Sequence, residues 1–209
     1  MMNYGAIVRP LLLLLLVITA VGCGDKYSEE DKVYIAEVDA FRKNKDVEMR
    51  TSPGSPFVQD TAAHWAPLKY YAVDPAYKFT SILHQHEKQD TVIILGTKGE
   101  ERKYLRYGYF IWNFRNNEYR INVYKGKSRS GEEYASLWFT DETTGNETYG
   151  VGRYIDLELH ADSDHEYTID FNLAYNPYCA YSSRYSCAIP HKEDYLPLAI
   201  VAGEKKFHD

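Results

Sequence analysis

With 209 residues, 13 of them Gly and 8 Pro, the chain has the length for one compact domain plus a targeting segment. Its 24 Lys and Arg against 30 Asp and Glu give a formal charge of −6 at pH 7. That balance argues against a clustered basic surface for phosphates, so nucleic acid is not an expected partner.

The chain opens on an apolar leader. Arg9 is its only charge, Leu11 to Ile18 form the apolar run, and Thr19-Ala20-Val21-Gly22 lead into Cys23. The run is short for a spanning helix and Gly24-Asp25-Lys26 follow at once, as after a signal peptide. Cys23 behind small residues resembles the lipobox of bacterial lipoproteins, with Ala20 standing where Leu is more usual. That resemblance implies a lipoprotein signal peptide over residues 1–22, cleavage before Cys23, and acylation of its thiol and new amine. The lipid bilayer is then a partner, each buried methylene contributing about 0.8 kcal/mol. Removing 22 of the 209 residues leaves 187 and takes Arg9 with it, so the charge moves from −6 to −7.

Residues 23–32 read as an acidic tether, and GDKYSEEDK resembles the tethers that send some Bacteroidetes lipoproteins to the cell surface. The expected location is the bacterial cell envelope, lipid-anchored, with the outer membrane surface as the finer expectation. Residues 33–209 are expected to form one β-rich domain with a leading helix.

Ser28 to about Arg50 predicts that helix. Ser28 caps it, Glu29, Glu30 and Asp31 sit at the positive end of its dipole, and Tyr34, Val38 and Phe41 recur on one face. It ends before Thr51-Ser52-Pro53-Gly54-Ser55-Pro56. The period then changes, and strands are predicted over 68–73, 78–83, 91–96, 102–114, 118–124, 134–140, 153–160, 167–173 and 196–202. Lys98-Gly99, Asn116-Asn117 and Ser130-Gly131 mark turns between them, and Pro197 restricts the last to an edge or to its start. About nine short strands imply a mainly β fold: a single antiparallel sandwich or partly closed barrel with the helix packed outside. Twenty tyrosines suggest a glycan platform, but tyrosine is also favoured in half-buried strands, so most are assigned to packing.

Polar and aromatic groups concentrate between Phe139 and Tyr181. Strand alternation puts Arg153 on the face of Ile155, Leu157 and Leu159. If that face is the core, the guanidinium has to be paired, and Asp141, Glu147 and Asp170 are the candidate partners. Arg153 then either locks a turn through an ion pair or binds a carboxylate or phosphate at the strand mouth. Gly150-Val151-Gly152 could offer N–H groups to an anion, but no helix follows as in a phosphate loop, which favours tight turns. Asp141, Thr143, Gly145 and Glu147 alternate through a stretch whose spacing falls well short of an EF-hand loop. His84 and His86 form an H-x-H pair that fits an exposed strand end better than a metal.

The expected site is a small polar or anionic ligand held by Asp141, Glu147, Tyr149, Arg153, Asp170, Asn172, Tyr175 and Asn176. The alternatives are a purely structural surface module, or a hydrolase using Asp170 or Glu147 as general base. No nucleophile elbow, H-E-x-x-H or Walker sequence occurs, so no catalytic residue, cofactor or metal is assigned. Cys179 and Cys187, eight positions apart in a chain read as exported, are expected to form a disulfide contributing roughly 2–3 kcal/mol. Their spacing matches no common zinc pattern, even with His191 nearby.

Three stretches carry a resemblance: D-E-T-T-G-N-E-T-Y-G-V-G-R-Y from Asp141, D-F-N-L-A-Y-N-P-Y-C-A-Y from Asp170, and A-I-V-A-G-E-K from Ala199. Together they resemble the bacterial family called domain of unknown function 1684, over about Trp65 to Lys206. Many relatives read cysteine-proline and then a proline-rich Glu-Asn-Arg-Leu, where this chain has Cys187-Ala188-Ile189-Pro190-His191-Lys192. His191 thus stands outside the family pattern. The resemblance implies kinship and no particular activity.

Overall fold

A computed structural model describes residue 2 and residues 26–128 and 131–208. The expected signal peptide, apart from Met2, and the lipidation position Cys23 lie outside the described residues.

Helix α1 spans Glu29–Thr51 and starts on a capping box. The Ser28 hydroxyl accepts from the Asp31 N–H, and the Asp31 carboxylate accepts from the Ser28 N–H, both at 3.1 Å. The helix therefore begins inside the stretch read as tether. Its expected apolar stripe is only partly an interior face: Val38 is buried, while Phe41 is 49% exposed. Polar side chains dock it instead. Arg42, itself buried, donates to the carbonyls of Tyr71 at 2.8 Å and Asn172 at 2.9 Å, and the Tyr34 hydroxyl donates to Asp170 at 2.7 Å. A four-residue helix, α2 (Pro56–Gln59), follows.

Eight strands follow among the described residues: β1 (Lys78–Ile82), β2 (His84–Leu95), β3 (Glu101–Phe114), β4 (Asn117–Lys127), β5 (Glu133–Asp141), β6 (Arg153–Leu157), β7 (Glu166–Asp170) and β8 (Tyr195–Leu196). Strands β2 to β6 pair antiparallel in chain order, and β8 adds to β5 in parallel. Strands β1 and β7 form a separate antiparallel pair. The fold is mainly β, two sheets with no closed barrel, as a sandwich requires. Of the nine expected strands, residues 68–73 make only a single bridge, Tyr70 to Glu204. The last strand shortens to two residues because Pro197 has no N–H to extend its ladder.

The principal core lies between the sheets. Ile121 and Val123 of β4, Leu137 and Phe139 of β5, and Ile155 of β6 pack with Ile169 of β7 and Phe171. A bulge fits β3 to both faces of its sheet. Arg106 pairs with Tyr124 but Gly108 pairs with Val123, so Tyr107 is the extra residue and the side-chain phase inverts there. Tyr104 therefore joins the second face, while Phe110 and Trp112 enter the main core. On that second face Tyr104, Tyr124, Trp138 and Tyr154 form an aromatic row, with Tyr124 and Trp138 stacked at 5.0 Å.

The row is capped by Asp194, which is fully buried and accepts from Tyr124 at 2.7 Å, Asn122 at 2.8 Å and the His191 N–H at 3.2 Å. Burial raises its carboxyl to about 6, against the hydrogen bonds it accepts. A carboxyl raised on folding contributes stability that is present below its unfolded value and lost as pH climbs through the folded one. Relative to an Asp194→Asn chain, the wild type is thus expected to lose about 3 kcal/mol between pH 4 and pH 7, read from urea unfolding across that range. Parallel pH profiles for the two chains would show that Asp194 is not the group responsible.

Candidate functional site

The eight expected site residues are distributed over several places in the fold. Arg153 enters the core from the start of β6 and is 1% exposed. Its guanidinium donates to Asp141 at 2.5 Å, to the Ile200 carbonyl at 2.9 Å and to the Ala202 carbonyl, and lies over the Phe139 ring at 5.2 Å. Asp141 is equally buried and turns its other oxygen to the N–H and hydroxyl of Thr143. Both terminal nitrogens of the guanidinium are thus engaged within the protein. Gly152, directly before Arg153, explains part of the glycine-rich stretch: its φ is +116°, and a Cβ there would lie 2.5 Å from the Phe139 carbonyl oxygen.

Asp170 and Asn172 form the dock for α1. Asp170 accepts from Tyr34 and from the Asn172 N–H at 2.9 Å; Asn172 donates to the Asp74 carbonyl at 2.9 Å and accepts from the Asp74 N–H at 2.9 Å. Glu147 lies elsewhere, accepting from the Tyr71 hydroxyl at 2.9 Å beside Lys205 and Lys206 in a shallow hollow. The two carboxylates considered as general bases therefore belong to different environments. Tyr149 donates to the Cys179 carbonyl at 3.2 Å.

Glu204, which the sequence did not single out, organises another network. It is 1% exposed and accepts from Lys45 at 2.7 Å, the Tyr181 hydroxyl at 2.6 Å, the Asn176 N–H at 2.8 Å and Tyr70 at 3.3 Å. The signal available was an acid directly after the apolar run Ala199-Ile200-Val201-Ala202 and Gly203. Gly203 holds φ at +75°, where a Cβ would lie 2.6 Å from the Ala174 carbonyl oxygen.

Of the eight, only Tyr175 and Asn176 reach a large cleft, a space of about 1450 Å³ between the C-terminal half of α1, the second face of the main sheet and the 173–188 segment. Tyr134, Tyr175 and Tyr185 line it half-buried, and Tyr178 lines it exposed, above a floor that includes Trp138. Its polar groups are of both signs: Lys45, Arg102 and Lys125 against Glu133, Asp156 and Glu158. The Tyr175 hydroxyl donates to Asp156 at 2.8 Å, and the Lys45 ammonium sits 4.6 Å over the Tyr175 ring. Burial, with Asp156 beside it, pushes the Tyr175 phenol well above its ordinary value, so it stays a donor. Asn176 is 2% exposed; its amide N–H₂ donates to the Lys205 carbonyl at 2.8 Å, while its Oδ1 has no hydrogen-bond partner.

Cys179 and Cys187, the pair expected to form a disulfide, are neighbours and both are free cysteines in this structure. The loop is closed by a hydrogen bond instead, from the Cys179 N–H to the Cys187 sulfur at 3.1 Å. Each cysteine is held by a different neighbour, Cys179 by Tyr149 and Cys187 by Thr97, to which its N–H donates at 3.2 Å. The Cys187 thiol, donating to Cys179, lowers the Cys179 thiol to about 7 against the cost of burial, with the hydroxyls of Tyr149 and Thr97 adding to the effect. The same contact, and burial, push Cys187 the other way. His191 is exposed and faces Glu193 at 3.7 Å. Among the described residues no group of three or more His, Cys, Asp or Glu is placed to hold a metal ion.

The fold is similar to that of an uncharacterized protein of Haloarcula marismortui, whose structure was solved by solution NMR. The TM-score is 0.61 at 28% identity, over 86% of this chain and 97% of that one. No curated protein matches. The stretches around Asp141, Asp170 and Ala199 that carried the resemblance all lie within residues 63–205, the region matched by the family described as "Protein of unknown function (DUF1684)", and the chain belongs to that family.

Proposed function

We propose that this is a lipid-anchored protein of the bacterial envelope, attached through an acylated Cys23, whose cleft binds a small, uncharged, polar ligand of the saccharide class. The observation that carries the ligand reading is the cleft of about 1450 Å³ with half-buried tyrosines on its walls. Aromatic faces take the C–H face of a sugar ring, while carboxylate and amide oxygens accept from its hydroxyls. Asp156 and Glu133 supply such acceptors. An anionic ligand is less well served, because the donors of Arg153 are turned to Asp141 and to backbone carbonyls. The anchor reading is supported by Cys23 behind small residues and by a capping box that starts α1 within six residues of it.

The test uses the full chain in detergent, with saturation-transfer NMR against a panel of di- and trisaccharides. At least one is expected to receive transfer at its ring C–H protons, and Tyr185→Ala or Asp156→Asn to weaken it on the order of tenfold. A panel with no binder, or binders indifferent to both substitutions, would sink the saccharide reading. Cys23→Ser is expected to move the chain from the detergent to the aqueous phase on cloud-point separation; no movement would remove the anchor.

A further inference from the structure

The two cysteines differ in ways that a pair of structural core thiols would not. Cys187 is 8% exposed and lines the cleft, whereas Cys179 is half-buried on the single 3₁₀ turn Tyr178–Ala180. Their surroundings differ: the Tyr149 hydroxyl reaches the Cys179 sulfur at 3.6 Å, whereas Cys187, held at its backbone by Thr97, packs in an apolar cluster with Ile94, Trp138 and Ala188. The Cys187 sulfur rests against the Cys179 N–H at 3.1 Å, within reach of its neighbour's side chain. Inert thiols sit among apolar groups, and reactive ones sit among hydrogen-bond donors with partial exposure.

We propose that Cys179 and Cys187 form a thiol–disulfide exchange site for small-molecule disulfides, with Cys179 as the attacking thiol and Cys187 as the resolving one. The Cys179 thiolate attacks one sulfur of the incoming disulfide. A Cys179–S–S–R bond forms, the original S–S bond breaks, and the departing thiolate takes a proton. Cys187 then gives up its proton to solvent and attacks the Cys179 sulfur, closing the intramolecular disulfide and releasing the second thiolate, which is protonated in turn. Two protein thiols are oxidised and one small disulfide is reduced to two thiols, so atoms and electrons balance. Exposure and surroundings assign the order: Cys179 is the more exposed of the two and has the Tyr149 hydroxyl on its sulfur, while Cys187 is 8% exposed within the apolar cluster. The site stands independently of what the cleft binds.

The reduced full chain, wild type, is pulsed with iodoacetamide across a pH series, and labelling is mapped by peptide mass. Cys179 is expected to label roughly tenfold faster than Cys187, with a half-maximal rate near pH 7 rather than in the ordinary thiol range. With oxidised glutathione, the wild type is expected to end as the intramolecular disulfide, and Cys187→Ser to accumulate a glutathione adduct on Cys179. Equal labelling of the two cysteines, or an adduct trapped on Cys187 of Cys179→Ser but not on Cys179 of Cys187→Ser, would overturn the assignment. Because the labelling arm needs no substitution, a variant that fails to fold leaves the decision intact.

Discussion

An Arg153→Met chain is expected to be about 3–5 kcal/mol less stable than the wild type, a fall in Tm on the order of 10 °C. The loss comes from what stays behind. Asp141 is buried and faces the guanidinium at 2.5 Å, so methionine leaves a carboxylate in the core with no cation, and the carbonyls of Ile200 and Ala202 without their donor. The double variant Arg153→Met/Asp141→Leu is expected to regain much of that loss, since exchanging a whole buried pair for apolar groups is often near neutral. Urea melts of the four chains of this cycle give the coupling directly. If Arg153→Met melted like the wild type, the guanidinium would not be a structural clamp, and its donors would again be open to a ligand.

Glu204→Ala is expected to cost as much, again about 3–5 kcal/mol, by a different route. The substitution leaves the Asn176 N–H and the Tyr181 hydroxyl buried without an acceptor and frees Lys45, another polar anchor of α1. Two measurements separate these effects. Thermal melting reports the whole loss, and hydrogen exchange over α1 reports the release of the helix, expected to rise well before global unfolding. Glu204→Gln keeps the volume but turns amide N–H groups toward donors, so it is expected to recover only part of the stability. A Glu204→Ala chain with wild-type melting and unchanged exchange in α1 would show that the network carries no weight.

What could be read from the sequence follows the range of the physics involved. Ser28 with Asp31 three residues on fixes the start of α1 locally, and alternation along β4 to β6 fixes which side chains face inward. The inward Arg153 came from the same alternation, and so did the short list holding its partner, Asp141. Choosing Asp141 over Asp170 required knowing that β5 and β6 are neighbours, which no local signal states. The bulge at Tyr107 could not be seen, because an inverted phase within one long run looks like a strand apolar on both sides. Glu204 was missed for a related reason: its partners come from α1 and from residues 70, 176 and 181, far apart in the chain. The cleft is likewise made of segments that meet only in the folded chain. Tyr175 and Asn176 were found next to it, while Tyr134, Asp156 and Tyr185 passed as ordinary strand and loop residues.

The segment 198–204 follows the eight strands of the described residues yet fills the centre of the core, with Leu198, Ile200 and Ala202 buried and the carbonyls of Ile200 and Ala202 held by Arg153. Synthesis and any threading through a membrane proceed from the N-terminus, so this filling arrives after all the strands it serves. Until it does, the inner faces of β5 and β6 have no covering there, and Asp141 and Arg153 lack the carbonyls that complete their site. A nascent chain that has not yet delivered these residues therefore leaves the centre of its core unfilled.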